Sequence, residues 1–526
     1  MVCYNVLWRE YRRNEKVLKK KVLKQNNLLR LQKRLAVVML ALTLGLGTGC
    51  GKTDDGADGA ASSEAETLAD GQTNDQTDVG AEEENGQESK KATEDKDEPY
   101  VEGTYSSDSY DVAEFTAEPR KKTDEEGNRG VYYEIFVRSF ADSDGDGIGD
   151  LNGVTEKLDY LKELGIDGIW LMPITASDTY HGYSVTDYMA VNPDYGTEDD
   201  LKRLLDEAHS RDMKVIMDLV INHTSINHPW FQAAKSDENS EYRDYYRWVY
   251  KTDKKDCNHL LDKSSWGDMV WHQEGDFYYY GVFGADMPDL NYNNPDVRQA
   301  AKDAAGHWLE LGLDGFRMDA AVHIYGAHEF KQQEDSEAAN INWWNEFAGY
   351  CESINPDVYL VGEVWQDDKV LENYVQPFNT KFDFAIQQKI LNCVQKGMAV
   401  PGFGDSLSVA IENIQNKYDG VDVNYLNGVF GANHDQDRIA SSVNSLDKAR
   451  QIAAVYMTLP GNPYIYYGEE LGMYGSKPDE MIRTPFLWGD DSTYNTSWEK
   501  DDQNAETKGL AQQMKDPDSM YSYYKT

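Results

Sequence analysis

Residues 151–172 read LNGVTEKLDYLKELGIDGIWLM, and this stretch decides the fold. Its first part has the spacing of apolar residues that is typical of a helix with one buried face. The short apolar run Gly168–Met172 follows directly. A continuous apolar run of this length is typical of a strand buried on both faces of a parallel sheet. The stretch therefore predicts one helix–strand unit of an α/β protein.

The same alternation of helical patterns and short apolar runs continues on both sides of this unit. Eight units in a chain of this length favour a closed (β/α)8 barrel, the TIM barrel, over an open sheet. We expect the barrel within residues 116–526, with polar residues at the C-terminal ends of its strands, where such barrels carry their chemistry. The eight candidate strands are Val131–Val137, Gly168–Met172, Lys214–Val220, Gly315–Met318, Val358–Val361, Phe382–Phe384, Gly428–Phe430 and Tyr464–Tyr467.

One connection is too long for a simple loop. The third candidate strand ends near His223 and the fourth begins near Asp314, and the residues between them are rich in aromatic side chains. Long connections without a function are uncommon in compact domains. We therefore expect a small subdomain, at about residues 224–296, inserted after the third strand.

The N-terminal part of the chain reads as a targeting segment. A basic region that includes Lys19–Lys21 precedes the apolar run Leu35–Leu46, which has the size of a signal-peptide core. Cys50 follows two small residues and a glycine, so residues 1–50 predict a lipoprotein leader with Cys50 as the lipidated residue. Residues 51–115 are acidic and poor in apolar side chains, which predicts a disordered linker. The expected location is extracellular, with the membrane reached only through the lipid anchor.

Composition narrows the function. The formal net charge is -42, so a polyanion such as nucleic acid is repelled. Aromatic residues make up 12% of the chain, a content common in proteins that stack sugar rings, although a tyrosine-rich core is an alternative. The five cysteines show neither a disulfide framework nor a zinc spacing. We expect a monomer.

Three acidic residues stand at the ends of candidate strands. Asp319, Glu363 and Asp435 follow the fourth, fifth and seventh strands. Cleaving a glycosidic bond with retention of configuration requires one ionised carboxylate that attacks the anomeric carbon and one carboxylic acid that protonates the leaving oxygen. The spacing along the barrel therefore predicts a glycosidase site.

Over residues 129–526 the chain resembles the α-amylase family, glycoside hydrolase family 13, and in particular its oligo-glucosidase and neopullulanase-like intermediate group. Four short regions in the family's order carry the resemblance: Asp218–His223, Gly315–Asp319 with His323, Gly362–Trp365 and Asn433–Asp435. Two further segments support it: Met287–Asn291 and Gly461–Glu469.

The resemblance implies a role for each matching residue. Asp319 would be the nucleophile, Glu363 the general acid and then base, and Asp435 the third carboxylate, which holds sugar hydroxyls. Arg317 precedes Asp319 by two residues and would keep it ionised. Asp218 would support Arg317.

Further positions match sugar-binding residues of the family. His223 and His434 match histidines that hydrogen-bond the sugar at the cleavage site. His181 and Tyr183 match another histidine and a stacking tyrosine there. His323 fits the α-amylase pattern, although Val322 replaces the usual lysine. We group all of these with Asp218 and Arg317 as the predicted substrate-binding set.

A separate acidic loop predicts a Ca²⁺ site. Residues 142–150 read DSDGDGIGD, which places acids at the first, third, fifth and ninth positions and Gly at the sixth, as in a calcium loop. The twelfth position is Gly153 rather than Glu, so this is not an EF-hand. The resemblance implies a structural Ca²⁺. The expected ligands are Asp142, Asp144, Asp146, the Ile148 carbonyl and Asp150.

The resemblance also narrows the activity to endo-hydrolysis of α-1,4 bonds in starch and maltodextrins. Ala320 follows the nucleophile position, where α-1,6-cleaving members often carry Val, and Tyr180 stands where chain-end-trimming members often carry Asp. Two alternatives remain: an exo-acting α-glucosidase or transglycosylase, and a non-catalytic glucan-binding or transporter-accessory protein. The run from Leu510 to Tyr524 predicts the last barrel helix, and the family's C-terminal β-sandwich is expected to be missing.

Overall fold

The computed structural model describes residues 117–120, 125–251, 260–326, 333–366, 368–396, 406–422, 424–489 and 492–526. Its centre is a closed barrel of eight parallel strands. Each strand pairs with the next along the chain, and the first pairs with the eighth. The predicted (β/α)8 barrel is therefore confirmed. The barrel strands are Tyr132–Ile135, Gly168–Leu171, Lys214–Leu219, Gly315–Met318, Tyr359–Gly362, Thr380–Phe382, Leu426–Phe430 and Asn462–Tyr466.

The sixth strand lies two residues earlier than the sequence predicted. It covers Thr380–Phe382, and Phe384 already begins a helix. Asp383 causes the break, because its carboxylate accepts a hydrogen bond from the backbone N–H of Ile386 at 2.9 Å in the first turn of that helix. The polar residue thus ends the strand that the two flanking phenylalanines suggested.

The helices around the barrel follow the expected pattern of local signals. In Leu158–Leu164 the three leucines face the core, and Gly165 ends the helix with φ of 98°. Thr197 and Asp200 form a reciprocal capping box at the start of Glu198–His209. The remaining α-helices are Val137–Phe140, Leu151–Glu156, Pro229–Ser236, Pro295–Leu311, Gln333–Ile354, Asp368–Leu371, Phe384–Lys396, Leu407–Val421, Ile439–Val443, Leu446–Tyr456, Asp479–Ile482, Leu510–Gln513 and Met520–Lys525. Short 3₁₀ turns cover Glu125–Asn128, Arg243–Tyr245, Glu372–Val375 and Glu469–Leu471.

The long connection after the third strand folds as the predicted insertion. It contains the helix Pro229–Ser236 and a three-stranded antiparallel sheet of Trp248–Tyr250, Phe277–Tyr280 and Trp271–Glu274. An antiparallel bridge between His223 and Asp289 ties its exit to the end of the third strand. A two-stranded sheet, Thr175–Ser177 with Val185–Val191, follows the second barrel strand.

Side chains fill the barrel interior. A cluster of large aromatic and β-branched residues occupies the lumen: Tyr132, Trp170, Ile216, Tyr359, Val361, Phe382, Phe384, Phe430 and Tyr464. The lumen is therefore a packed core rather than a channel, and the carboxyl ends of the strands remain as the place for a site.

The C-terminal run differs from the single helix that the sequence suggested. It forms two short helices, Leu510–Gln513 and Met520–Lys525, and the turn between them contains Pro517. Proline lacks the N–H that a continuous helix would need there. The predicted leader with Cys50 and the predicted linker lie outside the described residues. None of the described helices is both long enough and apolar enough to cross a membrane.

Candidate active site

The three predicted catalytic acids meet in one cleft at the carboxyl ends of the strands. Asp319 directly follows the fourth strand, Glu363 directly follows the fifth, and Asp435 lies in the loop after the seventh. All three line a cleft of 610 Å³. Residues that are far apart in sequence are therefore brought to one mouth of the barrel.

The guanidinium of Arg317 contacts two of these acids, Asp319 and Glu363, at the floor of this cleft. Arg317 is almost completely buried, and its Nη1 donates to Asp319 Oδ1 at 2.6 Å. The same nitrogen lies 2.6 Å from Asp218 Oδ1. Nη2 lies 3.0 Å from Glu363 Oε2. Arginine suits this task because its planar fork fixes several oxygens in one geometry. Asp218 supports Arg317 as predicted.

The backbone after Asp319 adds a second hold on Glu363. Ala320 has φ of 48°, in the left-handed region that residues with a Cβ seldom adopt. In this conformation its N–H donates to Glu363 Oε2 at 2.9 Å. Unfavourable backbone conformations of this kind cluster at functional sites, where the surrounding structure enforces them.

The acids have pKa values shifted in opposite directions. Burial raises the pKa of Asp319 and of Glu363, and the charge of Arg317 opposes both rises. The charge of Asp319 further raises the pKa of Glu363. Burial would also raise the pKa of Asp435, but the charges of His434 and Arg483 hold it well below its usual range. Asp435 is thus the acid that most firmly keeps its charge.

Four of the predicted sugar-binding residues line the cleft: His181, Tyr183, His223 and His323. The His181 and Tyr183 rings stack with their centroids 5.9 Å apart. Burial lowers the pKa of His181 and of His223 to about 4, so both rings are neutral at pH 7. A neutral imidazole both donates and accepts a hydrogen bond, which suits a sugar hydroxyl.

The other three members of the predicted set lie beneath the cleft rather than on its surface. Asp218, Arg317 and His434 are at most 1% exposed and do not line the cleft. His434 has both ring nitrogens engaged by protein groups, Nδ1 by Glu134 and Nε2 by Tyr183 and Asp435. The structure therefore places these three as supports of the residues that face the cleft.

Trp266 was not anticipated from the sequence, whereas Trp365 belongs to the predicted segment Gly362–Trp365. Trp266, in the inserted subdomain, and Trp365, two residues after Glu363, line the cleft with side chains that are 48% and 50% exposed. Trp266 stacks on Phe283 at 5.5 Å, and Trp365 stacks on Phe384 at 4.4 Å. Each indole thus has one face supported by protein. Exposed aromatic faces beside a site are the usual platforms for apolar faces of a ligand.

Arg483 was also missed. It lies after the eighth strand, is 3% exposed, and its Nη2 donates to Asp435 Oδ1 at 3.1 Å. The same nitrogen donates to Asp479 Oδ2 at 3.1 Å, and Nε donates to the His434 carbonyl at 3.0 Å. The only signal in the sequence was its place in a loop after a barrel strand.

The predicted cation loop forms a compact acidic group. Asp142, Asp144 and Asp146 each offer a carboxylate oxygen, and these oxygens lie within 4.8 Å of one another. Two oxygens bound to one Ca²⁺ are at most about 4.6–5.2 Å apart, twice the usual bond length, so the group fits that ion. Asp150 is not part of the group. Its oxygens accept from Ser143 and from the Gly153 N–H, where Asp150 caps the helix Leu151–Glu156.

Acids at the carboxyl ends of barrel strands, held around one buried arginine, have the arrangement of an enzyme active site. The family model for the alpha amylase catalytic domain matches residues 134–526. The chain belongs to the α-amylase family, glycoside hydrolase family 13.

Named relatives agree with this assignment. The chain is 45% identical over 402 residues to Alpha-amylase 3 of Dictyoglomus thermophilum, covering 75% of each protein. It is 36% identical over 390 residues to a 4-alpha-glucanotransferase of Thermotoga neapolitana, covering 72% of this chain and 81% of the relative. The crystal structure of alpha-amylase from H. orenii superposes with a TM-score of 0.68 at 43% identity, over 76% of this chain and 80% of that one.

Proposed function

We propose that the protein is a retaining, endo-acting hydrolase of α-1,4-glucosidic bonds in starch and maltodextrins. Asp319 is the nucleophile, Glu363 the acid and base, and Asp435 the third carboxylate. The observation that carries the proposal is the Arg317 guanidinium, which binds Asp319 and Glu363 together at the floor of the cleft. Retention requires two such carboxyl groups held close to one anomeric carbon.

In the first step Asp319 attacks the anomeric carbon. Arg317 holds Asp319 through Oδ1, and the proposal assigns the attack to Oδ2. Glu363 donates its proton to the glycosidic oxygen as the bond to the leaving glucan breaks. A pKa raised by burial favours the protonated form that this role needs.

In the second step Glu363 must become a base, and the charges around it favour that change. The negative charge of Asp319 helps to raise the pKa of Glu363. Once Asp319 is esterified to the sugar, that charge is gone and the pKa of Glu363 falls. The ionised Glu363 then takes a proton from water, whose oxygen attacks the anomeric carbon and releases Asp319.

Asp435 remains an acceptor throughout. Its pKa lies below the usual range, so it stays ionised while Asp319 and Glu363 exchange charge and protons. An ionised carboxylate can accept hydrogen bonds from two sugar hydroxyls.

Transfer to a second glucan is the main alternative, since a relative is named 4-alpha-glucanotransferase. In that case a sugar hydroxyl takes the place of water in the second step. The two exposed indoles that line the same cleft as Glu363 would suit either a leaving chain or an acceptor chain. Product analysis on long amylose with and without maltose separates the cases. A rapid fall in chain length supports endo-hydrolysis, glucose alone supports exo-hydrolysis, and lengthened products with maltose support transfer.

The nucleophile is tested with Asp319→Asn. Because the amide is a poor nucleophile, we expect the rate of starch hydrolysis to fall by at least about 10⁴-fold. The control is Asp447→Asn, an exposed carboxylate paired with Arg450 on a remote helix. Hydrolysis by Asp319→Asn at the control's rate would refute the assignment. Glucan binding without hydrolysis in the wild type would favour the non-catalytic alternative. Proton NMR of the first products tests retention, which requires the α-anomer.

We further propose that the acidic loop holds Ca²⁺ through Asp142, Asp144 and Asp146, with the Ile148 carbonyl and Asp150 as candidate additional ligands. A bound Ca²⁺ would offset two of the three negative charges and fix the loop after the first strand. The proposed role is structural, because none of these loop residues lines the cleft.

We also propose that the protein is exported and anchored by a lipid on Cys50. The support is the sequence alone: a basic region, an apolar run and a cysteine after small residues. Metabolic labelling with an alkyne fatty acid tests it. Label should be lost in Cys50→Ala and retained in Cys3→Ala, and label retained in Cys50→Ala would refute the anchor.

A further inference from the structure

An acid inside the first barrel strand takes no part in the mechanism above. Glu134 is 1% exposed and lies between Trp170 of the second strand and Tyr466 of the eighth in the strand register. A buried carboxylate is costly unless it is paired with a cation or with hydrogen-bond donors. Its partner is His434, 300 positions further along the chain, at 2.5 Å between Oε1 and Nδ1.

The other side of the His434 ring faces acceptors as well. Nε2 lies 2.6 Å from the Tyr183 hydroxyl and 3.0 Å from Asp435 Oδ2. The Tyr183 hydroxyl donates its own proton to Asp218 Oδ2 at 3.2 Å. In this arrangement that proton is not available to His434, and a hydrogen on Nε2 serves the contact with Asp435 Oδ2 as well.

The direction of the Tyr183 hydrogen bond follows from the surroundings of Asp218. The Trp170 indole N–H donates to the same Oδ2 at 3.3 Å, and Arg317 donates to Oδ1 at 2.6 Å. An acid that receives donors on both oxygens acts as an acceptor towards the third group. The contacts of Asp218 with Arg317 and Trp170 thus favour a hydrogen on Nε2 of His434.

With Nε2 protonated, the Nδ1 contact has two readings. Either Nδ1 also carries a hydrogen and His434 is an imidazolium between two carboxylates, or Glu134 is the protonated partner and the ring is neutral. Asp435 favours the imidazolium, because its negative charge lies 3.0 Å from Nε2 and an opposite charge at that distance stabilises a cation.

We propose that Glu134 is a positioning residue that keeps His434 a cation, and that this cation keeps Asp435 ionised and oriented towards the substrate. The inference rests on the proposed function of Asp435. Glu134 acts through His434 and does not line the cleft.

The neighbouring histidines show what the ring would do without such a partner. Burial lowers the pKa of His181 and of His223 to about 4. Burial acts in the same direction on His434, yet Asp435 and Glu134 raise its pKa to about 10. Burial raises the pKa of Glu134, and the charge of His434 opposes that rise.

Among the described residues, seven other titratable or charged groups interact with Glu134 or His434. They are Tyr183, Asp218, Arg317, Asp319, Asp435, Tyr466 and Arg483. Arg317 and Arg483 disfavour a further cation, and they remain in place when Glu134 is altered. Loss of the Glu134 charge should therefore lower the pKa of His434.

The test is Glu134→Gln in the full chain, which keeps the shape and an acceptor oxygen but removes the charge. Glu470→Gln is the matched control, since Glu470 is also a buried acid at the barrel, held by the Tyr133 and Tyr160 hydroxyls rather than by a histidine. The protein is labelled with ¹⁵N-histidine, and the His434 signals among the ten histidines are assigned by their loss in His434→Asn.

In the wild type and in Glu470→Gln, both His434 nitrogens should show the shifts of an imidazolium at pH 7. In Glu134→Gln the ring should be neutral at pH 7. Loss of the Glu363 proton sets the alkaline limb of kcat in the wild type, because Glu363 must be protonated in the first step. In Glu134→Gln, His434 should lose its proton before Glu363 does, so the limb should move down by at least one pH unit, which corresponds to about a tenfold loss of rate on that limb. KM should change less, because Glu134 does not touch the cleft.

Each other result overturns the inference. A neutral His434 in the wild type at pH 7 refutes the charge, and this measurement holds even if Glu134→Gln fails to fold. A cationic ring in Glu134→Gln refutes the role of Glu134. A uniform loss of rate at all pH values, without a shift of the limb, would indicate a structural role only. Absence of glucan hydrolysis in the wild type would refute the proposed function, while the NMR measurement would still decide the charge of His434.

Discussion

Replacing Arg317 by lysine tests the central geometry of the site. The guanidinium makes three charged contacts with three different carboxylates, two at 2.6 Å through Nη1 and one at 3.0 Å through Nη2. Lysine keeps the positive charge but carries all its donors on one nitrogen. That nitrogen cannot occupy both Nη positions, so we expect Asp319 and Glu363 to lose their common support.

The expected cost follows from the number of contacts. A hydrogen bond to a charged group contributes about 1.5–3 kcal/mol, and breaking a buried ion pair costs about 3–5 kcal/mol. If two of the three contacts are lost, the free energy of unfolding should fall by about 3–5 kcal/mol. With an unfolding entropy of about 2.1 cal/mol/K per residue over roughly 400 residues, Tm should fall by about 4–6 °C.

Activity should fall further than stability alone explains. A displacement of about 1 Å between reacting groups costs about 100-fold in rate, so kcat should fall by about that factor. Loss of the hydrogen bonds also removes part of what opposes the pKa rise of Asp319. Because the nucleophile must be ionised, a higher pKa moves the acid limb of kcat/KM to higher pH.

The assay is the pH profile of starch hydrolysis together with thermal unfolding at one scan rate. The control is Arg120→Lys. Arg120 is buried, does not line the cleft, and binds Glu352 at 2.6 Å, the Pro377 carbonyl at 3.0 Å and Asn379 at 2.8 Å. It should lose a similar amount of stability and keep both kcat and the acid limb. An Arg317→Lys enzyme with wild-type kcat, or an equal loss of kcat in Arg120→Lys, would refute the reasoning.

Three further predictions concern other parts of the molecule. Chelation with EDTA should lower Tm in the wild type and not in Asp142→Asn, as measured by differential scanning fluorimetry; equal responses would rule out the acidic loop as the Ca²⁺ site. Trp266→Ala and Trp365→Ala should each lower kcat/KM on long maltodextrins by about 2–10-fold, because each loses an aromatic contact that contributes about 0.5–1.5 kcal/mol. The value of kcat/KM on short activated substrates should not change. Equal losses on long and short substrates would argue against stacking. Burial raises the pKa of Glu469 from 4.5 to about 8, so protonation of Glu469 stabilises the folded state at low pH, and this contribution is lost as pH rises from 4.5 to about 8. Between pH 5 and pH 8.5, the free energy of unfolding measured in urea should therefore fall less in Glu469→Gln than in the wild type. Equal falls in the two proteins would contradict this prediction.

The barrel could be predicted because each of its strands is buried on both faces. That environment favours mainly apolar runs, and such runs are visible in a single sequence even where one polar residue, such as Glu134 or Arg317, interrupts them. The sixth strand was predicted less accurately, and its sequence shows why. Its residues Thr380 and Lys381 are buried, but their polar side chains hid the strand, and the flanking phenylalanines shifted the prediction towards Asp383. Lys381 is tolerated there because its Nζ lies 2.7 Å from the Tyr418 hydroxyl.

Residues of the site could be predicted only where an acidic residue directly follows a barrel strand or lies in the loop after it. Asp319, Glu363 and Asp435 satisfy that condition and line one cleft. Glu134 and Arg483 do not, because their importance comes from contacts with the His434–Asp435 pair. These contacts join residues 300 and 48 positions apart, which no local pattern encodes.

The distribution of cationic partners explains why the pKa of Asp435 is lowered while the pKa values of Asp319 and Glu363 are raised. Arg317 is shared among Asp218, Asp319 and Glu363, so each receives only part of the stabilisation, and burial raises the pKa of all three. Asp435 instead has a different partner on each oxygen, since His434 lies at Oδ2 and Arg483 at Oδ1, although His434 also contacts Glu134 and Arg483 also contacts Asp479. The unequal sharing of charge separates an acid that can exchange a proton from one that cannot, although both face the same cleft. Glycosidases need that separation, because the group that protonates the leaving oxygen must not compete with the group that binds the sugar.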